Sequence, residues 1–413
     1  MPTSQQALKR ASGYLTLGCA ITILISITAS QILLGLALAT LLASRTRLRL
    51  PRIWIPLTFF LAGTFLSMFF SPSPLHGLPQ VKKMYVFFTL LVVCSTVTDL
   101  IRVRRLVLVW SGIAGLVAIF GLVQVTTRLY ELHVQHGDVY EYYVAHRFTG
   151  FMSHVMTFSG EDMVVLLMLV SFLFFACDIP KPVLIAGAAC AILLGGILLA
   201  AGARTVWLGV AVAGLWLLWN WRPWTAVAGP VTILLFLWVV PGPVHDRFLS
   251  LVHPRKDVDS NEFRIICIRT GERMIQAHPW LGIGLDETKY HFLDYLPPDT
   301  RRPLPPGFYQ HLHDIYLQYA AERGVPTLLV FLWLLGIILL DSYRALQRLP
   351  EGRSDQRFIL HGGIATVIGV MVAGLFEANL ADSEVLTMFL VVVACAYTAG
   401  EKVLPATIPS GPA

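Results

Sequence analysis

The side chains in this sequence best suited to handling a phosphate ester are arginines, histidines and a few carboxylates. They are Arg147, Arg204, Arg264, Arg269, Arg273, His311, His313, Asp314 and Glu322. A guanidinium holds phosphate oxygens in a bidentate fork and keeps its charge at any relevant pH. Imidazole titrates near neutrality and serves as a general base or proton carrier. Arg204 sits in Ala203-Arg204-Thr205-Val206-Trp207 between two apolar blocks. An arginine so placed either snorkels its charge to the membrane interface or faces an outward-opening cavity. Arg264 opens a stretch that also holds Arg269, Glu272 and Arg273. That stretch reads either as a solvated or headgroup-facing amphipathic helix or as an arginine cluster gripping phosphate. Arg147, in Arg147-Phe148-Thr149-Gly150-Phe151 with His154 close by, reads most simply as a headgroup anchor.

His311 and His313 bracket Leu312, so their side chains diverge if all three are helical. If His313 starts a helix, His311 lies outside it. Metal ligation by this pair is weakly supported, because no HExxH and no Cys pair accompanies it. Asp257-Val258-Asp259 forms a D-x-D string, a pattern that in sugar transferases can hold a metal on a nucleotide diphosphate. It is only three residues long and falls on the side where nucleotide sugars are not normally available. The site expected here uses neither metal nor cofactor.

The elements that must position these groups follow from composition. Of 413 residues, 56% are hydrophobic and 14% charged, about half the roughly 25% charge of a soluble domain. Mean hydropathy is +0.67. This excludes a soluble enzyme, a disordered chain and a small disulfide scaffold. The apolar residues come in blocks long enough to cross a bilayer, and only helices satisfy the backbone there without the alternation of a barrel. The expected fold is all-α, a polytopic membrane protein with about twelve spans. They are placed at 12–28, 31–44, 53–70, 84–98, 106–126, 163–177, 183–202, 205–220, 225–240, 325–341, 358–376 and 385–399.

The first two blocks could form one long helix, but loop charge favours two. With two helices, Lys9/Arg10 shares one side with Arg45/Arg47/Arg49/Arg52, Arg102/Arg104/Arg105 and Arg344/Arg348/Arg353/Arg357. The positive-inside rule makes that side, and both termini, cytoplasmic. The inner segments then carry 16 Lys+Arg against 6 Asp+Glu and the outer ones 15 against 19, together the formal +6. The basic balance therefore reflects topology, not nucleic-acid binding. The N-terminal block reads as a retained anchor rather than a cleavable signal. Of six cysteines only Cys267 falls outside, so no disulfide framework is expected.

Two outer segments are long, 127–162 and 241–324. They separate helices 1–5 (1–126), helices 6–9 (163–240), and helices 10–12 with the tail (325–413). Eleven of the twelve histidines fall outside; His361 does not. Within the second segment, 261–278 reads as a helix bounded by Pro279 and Gly282. Positions 311–323 read as another, ended by Gly324 and Pro326. The Pro-rich stretch 296–307 is an irregular connector.

Taken in order on this topology, three features resemble the O-antigen ligase and O-antigen polymerase superfamily of bacterial inner-membrane proteins. The first is Arg204 with Trp207 after a transmembrane helix. The second is Arg264 to Gly284, with His278, Pro279, Gly282 and Gly284 in R-x13-H-P-x-x-G-x-G. The third is His313 leading to Leu317, Glu322 and Gly324, H-[ND]-x-x-L-x4-E-x-G, just before a span. R-F-T-G-F at 147–151 also resembles a recurring family segment. The motifs cover about 145–335. Two positions depart from the usual pattern: Ala203 where Ser is usual, and Asp314 where Asn is common.

The resemblance implies a glycosyltransferase that uses a polyprenyl-pyrophosphate-linked glycan in the outer leaflet. An acceptor sugar hydroxyl, on lipid A–core or another glycan, attacks the anomeric carbon with inversion, and lipid pyrophosphate leaves. Arg204 and Arg264 would stabilise the leaving diphosphate, and His313 would take or orient the acceptor proton. Arg147, Arg269, Arg273, His311, Asp314 and Glu322 are the expected substrate contacts. The site would face the periplasm. A protein O-oligosaccharyltransferase differs only in the acceptor. A transporter of lipid-linked sugars would instead need ionisable groups deep in the spans, where few are expected. A scaffold would tolerate loss of Arg204, Arg264 or His313.

Overall fold

The computed structural model describes residues 4–135, 138–239, 242–250, 252–253, 255, 261–305 and 307–401. Asp257-Val258-Asp259 lies outside them. The described residues form helices and no strand. The helices are α1 (Ser4–Thr22), α2 (Ile27–Ala43), α3 (Trp54–Phe69), α4 (Leu78–Lys83), α5 (Phe88–Thr96), α6 (Leu100–Gln135) and α7 (Val139–Ala145). They continue with α8 (Val155–Phe175), α9 (Lys181–Ala200), α10 (Arg204–Trp221), α11 (Thr225–Val239), α12 (Pro243–Leu249), α13 (Asn261–Ala277) and α14 (Thr288–His291). The last three are α15 (Ile315–Gln347), α16 (Asp355–Gly374) and α17 (Ser383–Glu401).

The first two apolar blocks are separate helices. Ser26 leaves helical geometry and caps α2 by accepting from the Ala29 amide. The pair then packs as a hairpin, stitched where Ser12 Oγ donates to the Ala37 carbonyl at 3.0 Å. Among the described residues seven helical segments are long and apolar enough to cross a membrane, or eight if the bent pair Thr225–Val239 and Pro243–Leu249 is one span, against the twelve expected. The seven are Pro74–Thr96, Leu100–Arg128, Val155–Phe175, Lys181–Ala200, Ile315–Gln347, Asp355–Gly374 and Ser383–Glu401. Ile27–Ala43 and Trp54–Phe69 are apolar but shorter.

Buried α8 packs with α10, α16 and α17 at the centre. α10 meets α16 closely because Gly209 lies against the Gly369 carbonyl, where a Cβ would collide. The basic loops share one end of the bundle. Arg104 donates to the Cys177 and Asp178 carbonyls, each at 3.0 Å, and lies 3.4 Å from Asp355. Arg49 lies 3.6 Å from Glu401 at the same end. The opposite end carries α7, α12, α13 and α14. α14 is tied down by Glu287, fully buried, which accepts from Ser71 Oγ at 2.9 Å and lies 3.2 Å from His76 Nδ1.

Two helix starts differ from expectation. α8 begins at Val155, eight residues before the expected 163, because His154 Nδ1 accepts from the Met156 amide and caps the helix. Glu161 and Asp162 therefore sit inside a spanning helix, buried at 2% and 3% exposure. The expectation that the spans hold few buried ionisable groups fails there. The helix expected at 311–323 starts instead at Ile315, because Asp314 Oδ1 accepts from the Tyr316 and Leu317 amides. Nor does it stop at Gly324. The chain kinks there at φ 81° and continues as the membrane helix to Gln347.

Candidate active site

The site forms where α13, the 311–314 turn and the segment after α16 meet. Helix α13 is amphipathic. Phe263, Ile266, Cys267, Thr270 and Met274 turn inward, and Arg264 turns toward the bundle. Arg264 Nη2 lies 3.7 Å from Glu377 Oε2, and its buried Nε has no hydrogen-bond partner. Successive helical residues advance by about 100°, so Arg269 and Arg273 fall well round the helix from Arg264. Both are exposed. Arg269 instead grips Asp299 through both carboxylate oxygens at 2.8 Å. The structure thus divides the expected arginine cluster and leaves Arg264 alone at the site.

His313 has a left-handed backbone, φ 54°. Its ring packs edge-on against Phe263 at 5.0 Å. His313 Nε2 lies 2.9 Å from the Phe308 carbonyl, an acceptor only, which fixes the proton on Nε2. Nδ1 is the ring nitrogen turned toward Glu377. It is buried, without a hydrogen bond, 3.5 Å from Glu377 Oε1. His311 stacks beside it, ring centroids 3.9 Å apart, and its Nδ1 accepts from the His313 amide at 3.3 Å. Burial holds His311 down to about 4, reinforced by His313.

Glu377 is the carboxylate that sequence reasoning missed. It follows α16 in a short loop that also carries Asp382, just ahead of Glu384 in the first turn of α17, and it is 8% exposed. Burial alone would raise its pKa. His313, His311 and Arg264 outweigh that and hold it near 2. The available signal was an acidic pocket of sequence at the outer end of a span. Asp382, five residues on, accepts from Thr157 Oγ1 at 2.8 Å, and burial pushes it up to about 6.

A second missed residue, Arg247 of α12, is 4% exposed and donates to the Gly202 carbonyl and the Tyr140 hydroxyl. Burial first, then Arg247 and Arg264, pushes Arg147 down to about 10. Burial, and then Arg247, likewise lowers Arg264, against the pull of Glu377. Arg147, Arg247 and Arg264 therefore lie within electrostatic reach of one another, with Glu377 as a carboxylate in their midst. His154 feels Glu377, Arg147 and His313, and burial lowers it.

Arg204 reaches the same neighbourhood by another route. Its Nη1 donates to the Ser250 carbonyl and hydroxyl at 3.0 and 3.1 Å, and its Nη2 to Asn261 Oδ1 at 2.8 Å. Asn261 starts α13 one turn before Arg264. Arg204 thus braces the first turn of α13 against the membrane helix it heads. Ala203 gives α10 no side-chain cap. Trp207 is pinned inside, its Nε1 donating to the Leu198 carbonyl.

The motif glycines explain how α13 and α15 keep their register. The amides of Ile283 and Gly284 donate to the carbonyls of Ala321 and Glu322 at 2.9 and 3.2 Å, and Val325 donates to Pro279 at 2.8 Å. A Cβ at Gly282 would overlap the Glu322 main chain, and one at Gly324 the Trp280 carbonyl. Glu322 itself turns away into a buried network, accepting from Thr288 Oγ1 at 3.0 Å. Asp314 is occupied as a helix cap.

His311, His313 and Glu377 offer three ligand atoms within 4.8 Å, a set that by type alone could hold a metal ion. Arg264 beside the carboxylate puts a fixed positive charge where a dication would bind, which opposes it.

The structure is that of a helical membrane protein with a cluster of arginine, histidine and carboxylate side chains at one end. The family model described as O-antigen ligase matches residues 188–332. That segment runs from α9 into α15 and contains Arg204, Arg264, His313 and both interlocked glycine motifs. The match covers about a third of the chain; it bears out the resemblance to the O-antigen ligase and polymerase superfamily and supports a ligase- or polymerase-type role in polysaccharide biosynthesis. No curated protein matches the chain.

Proposed function

We propose that the protein transfers a glycan from a polyprenyl-pyrophosphate donor to a sugar hydroxyl, without metal, at the periplasmic face of a bacterial inner membrane. The observation that carries this reading is the buried cluster of Arg264, Glu377 and His313, with Arg264 Nη2 3.7 Å and His313 Nδ1 3.5 Å from the carboxylate and Arg264 Nε buried without a hydrogen-bond partner. A buried guanidinium that keeps an unused donor beside a histidine base is a receptor for an anion such as a diphosphate.

The chemistry is one displacement. The acceptor oxygen bonds to the anomeric carbon as the bond from that carbon to the phosphate oxygen breaks, inverting the centre. The hydroxyl proton passes to His313 Nδ1, and Glu377 stabilises the imidazolium that results. The electron pair of the broken bond leaves on the pyrophosphate. Its growing charge meets guanidiniums already in place, which lowers the barrier without reorganisation. Arg204 positions Arg264 by bracing α13.

The compact outer region favours a ligase, with lipid A–core as acceptor, over a polymerase. The test is transfer by purified protein given lipid-linked donor, a chelator and no nucleoside triphosphate, with several acceptors offered in parallel. Product is expected, and Arg264→Ala should lose it by a factor on the order of a hundred or more. Full transfer by Arg264→Ala refutes the diphosphate assignment. No product with any acceptor refutes the reaction.

A further inference from the structure

Arg204 stands at the unfavourable end of its own helix. It is the first residue of α10, where the helix macrodipole disfavours a positive charge, and Ala203 supplies no side-chain cap. Its guanidinium is taken up instead at the C-terminal end of α12, where carbonyls left over by the helix favour a cation. Ser250, the residue that ends α12, receives it there through both carbonyl and hydroxyl.

What fixes that end of α12 is Arg247, one turn before Ser250 and 4% exposed. Its Nε donates to the Gly202 carbonyl at 3.2 Å, and its Nη1 lies 3.4 Å from the Tyr140 hydroxyl. The Gly202 carbonyl also receives the Arg204 amide at 3.1 Å, so the two arginines share one acceptor. Buried Ser250 closes the circuit, its hydroxyl donating to the Arg247 carbonyl at 2.8 Å. Helix α12 thus grips Arg204 twice, at the backbone turn that launches it and at the guanidinium.

Helix α7 backs the same turn. Tyr143 donates its hydroxyl proton to the Ala200 carbonyl at 2.7 Å. Gly202 is left-handed, φ 66°, and a Cβ there would press on that hydroxyl. At 4% exposure, with Nε and Nη1 engaged, Arg247 is placed to hold backbone rather than to receive a substrate.

We propose that Arg247 is a positioning residue for transfer. It fixes the 200–203 turn and the end of α12, so that Arg204 meets Asn261 and sets the first turn of α13, which carries Arg264. The proposal rests on the roles given above to Arg204 and Arg264.

The test reads Arg204 directly. Purified full-length protein is treated with phenylglyoxal, and the modification rate of each arginine is followed by peptide mass mapping. Arg247→Lys keeps the charge but loses the planar fork that serves two acceptors. Arg247→Met removes charge and donors together, and if it fails to fold, Arg247→Lys carries the comparison. Each should raise the rate at Arg204 several-fold and leave exposed Arg269 unchanged. Transfer should fall on the order of ten-fold, the scale of one lost charged hydrogen bond. In an Arg204→Ala background the same change at Arg247 should cost less than about two-fold, because the residue it acts through is gone.

An unchanged Arg204 rate in Arg247→Lys overturns the proposal. So does an equal loss of transfer in both backgrounds, which is what a general role in the fold or a direct grip on substrate would give. Normal transfer by Arg247→Lys, where Arg204→Ala is slow, overturns it as well. If Arg204→Ala transfers at the wild-type rate while Arg247→Lys still releases Arg204, the clasp stands and the role of Arg204 in transfer is refuted instead.

Discussion

Replacing Glu377 by Gln removes a charge while keeping the shape, and the structure sets what should follow. Glu377 is 8% exposed between Arg264 and His313, and its environment lowers its pKa from 4.5 to about 2. That drop corresponds to roughly 3 kcal/mol in favour of the charged form, net of burial. If that energy reaches the transition state through the His313 imidazolium, its loss lowers kcat by about two orders of magnitude. On the proposed reading Glu377 also competes with the donor diphosphate for Arg264. Its removal should therefore leave the donor KM unchanged or reduce it, while kcat falls. The assay is steady-state transfer with varied donor at saturating acceptor, with thermal unfolding in parallel to confirm the fold. Normal kcat, or a raised donor KM at normal kcat, would show that Glu377 does not act through His313.

Other outcomes follow from the same geometry. Gly324→Ala places a Cβ on the Trp280 carbonyl at φ 81°, so the cost should exceed about 3 kcal/mol, read as lost yield or a lowered Tm. Arg269→Ala breaks an exposed pair with Asp299 and should leave both Tm and transfer rate unchanged. His311 is held near 4, below its unfolded value of 6.5. The unfolded chain therefore binds the extra proton first. The stability His311 contributes is complete above about pH 6.5 and is lost as pH falls toward 4. Unfolding curves across that window should show the decline in wild type and a flatter profile in His311→Asn.

Much of the fold was legible because bilayer helices announce themselves by apolar length, and α13 because its inward face repeats at helical spacing. The start of α8 was not. Ser159, Glu161 and Asp162 look like loop until one knows that His154 caps the helix and other helices cover the carboxylates. Arg264, Arg269 and Arg273 looked like one cluster because they are close in sequence, but helical rotation separates them. The histidine pair was found, while Glu377, 64 positions after His313, carries no motif to join them. The glycines were read as family marks. Their physical reason, backbone laid against backbone, needed the three-dimensional register.

That register has a consequence for substrate capture. The segment that directly follows the helix bearing Arg264 is bonded, main chain to main chain, to the start of α15, the helix long and apolar enough to enter the bilayer. The charge of Arg264 is thereby held at a fixed height above the hydrocarbon, and the two helices cannot drift apart as separate domains would. For the lipid-linked donor proposed above, whose head group travels at one depth, sideways diffusion alone would then bring it to Arg264, which turns a search through volume into a search over a plane.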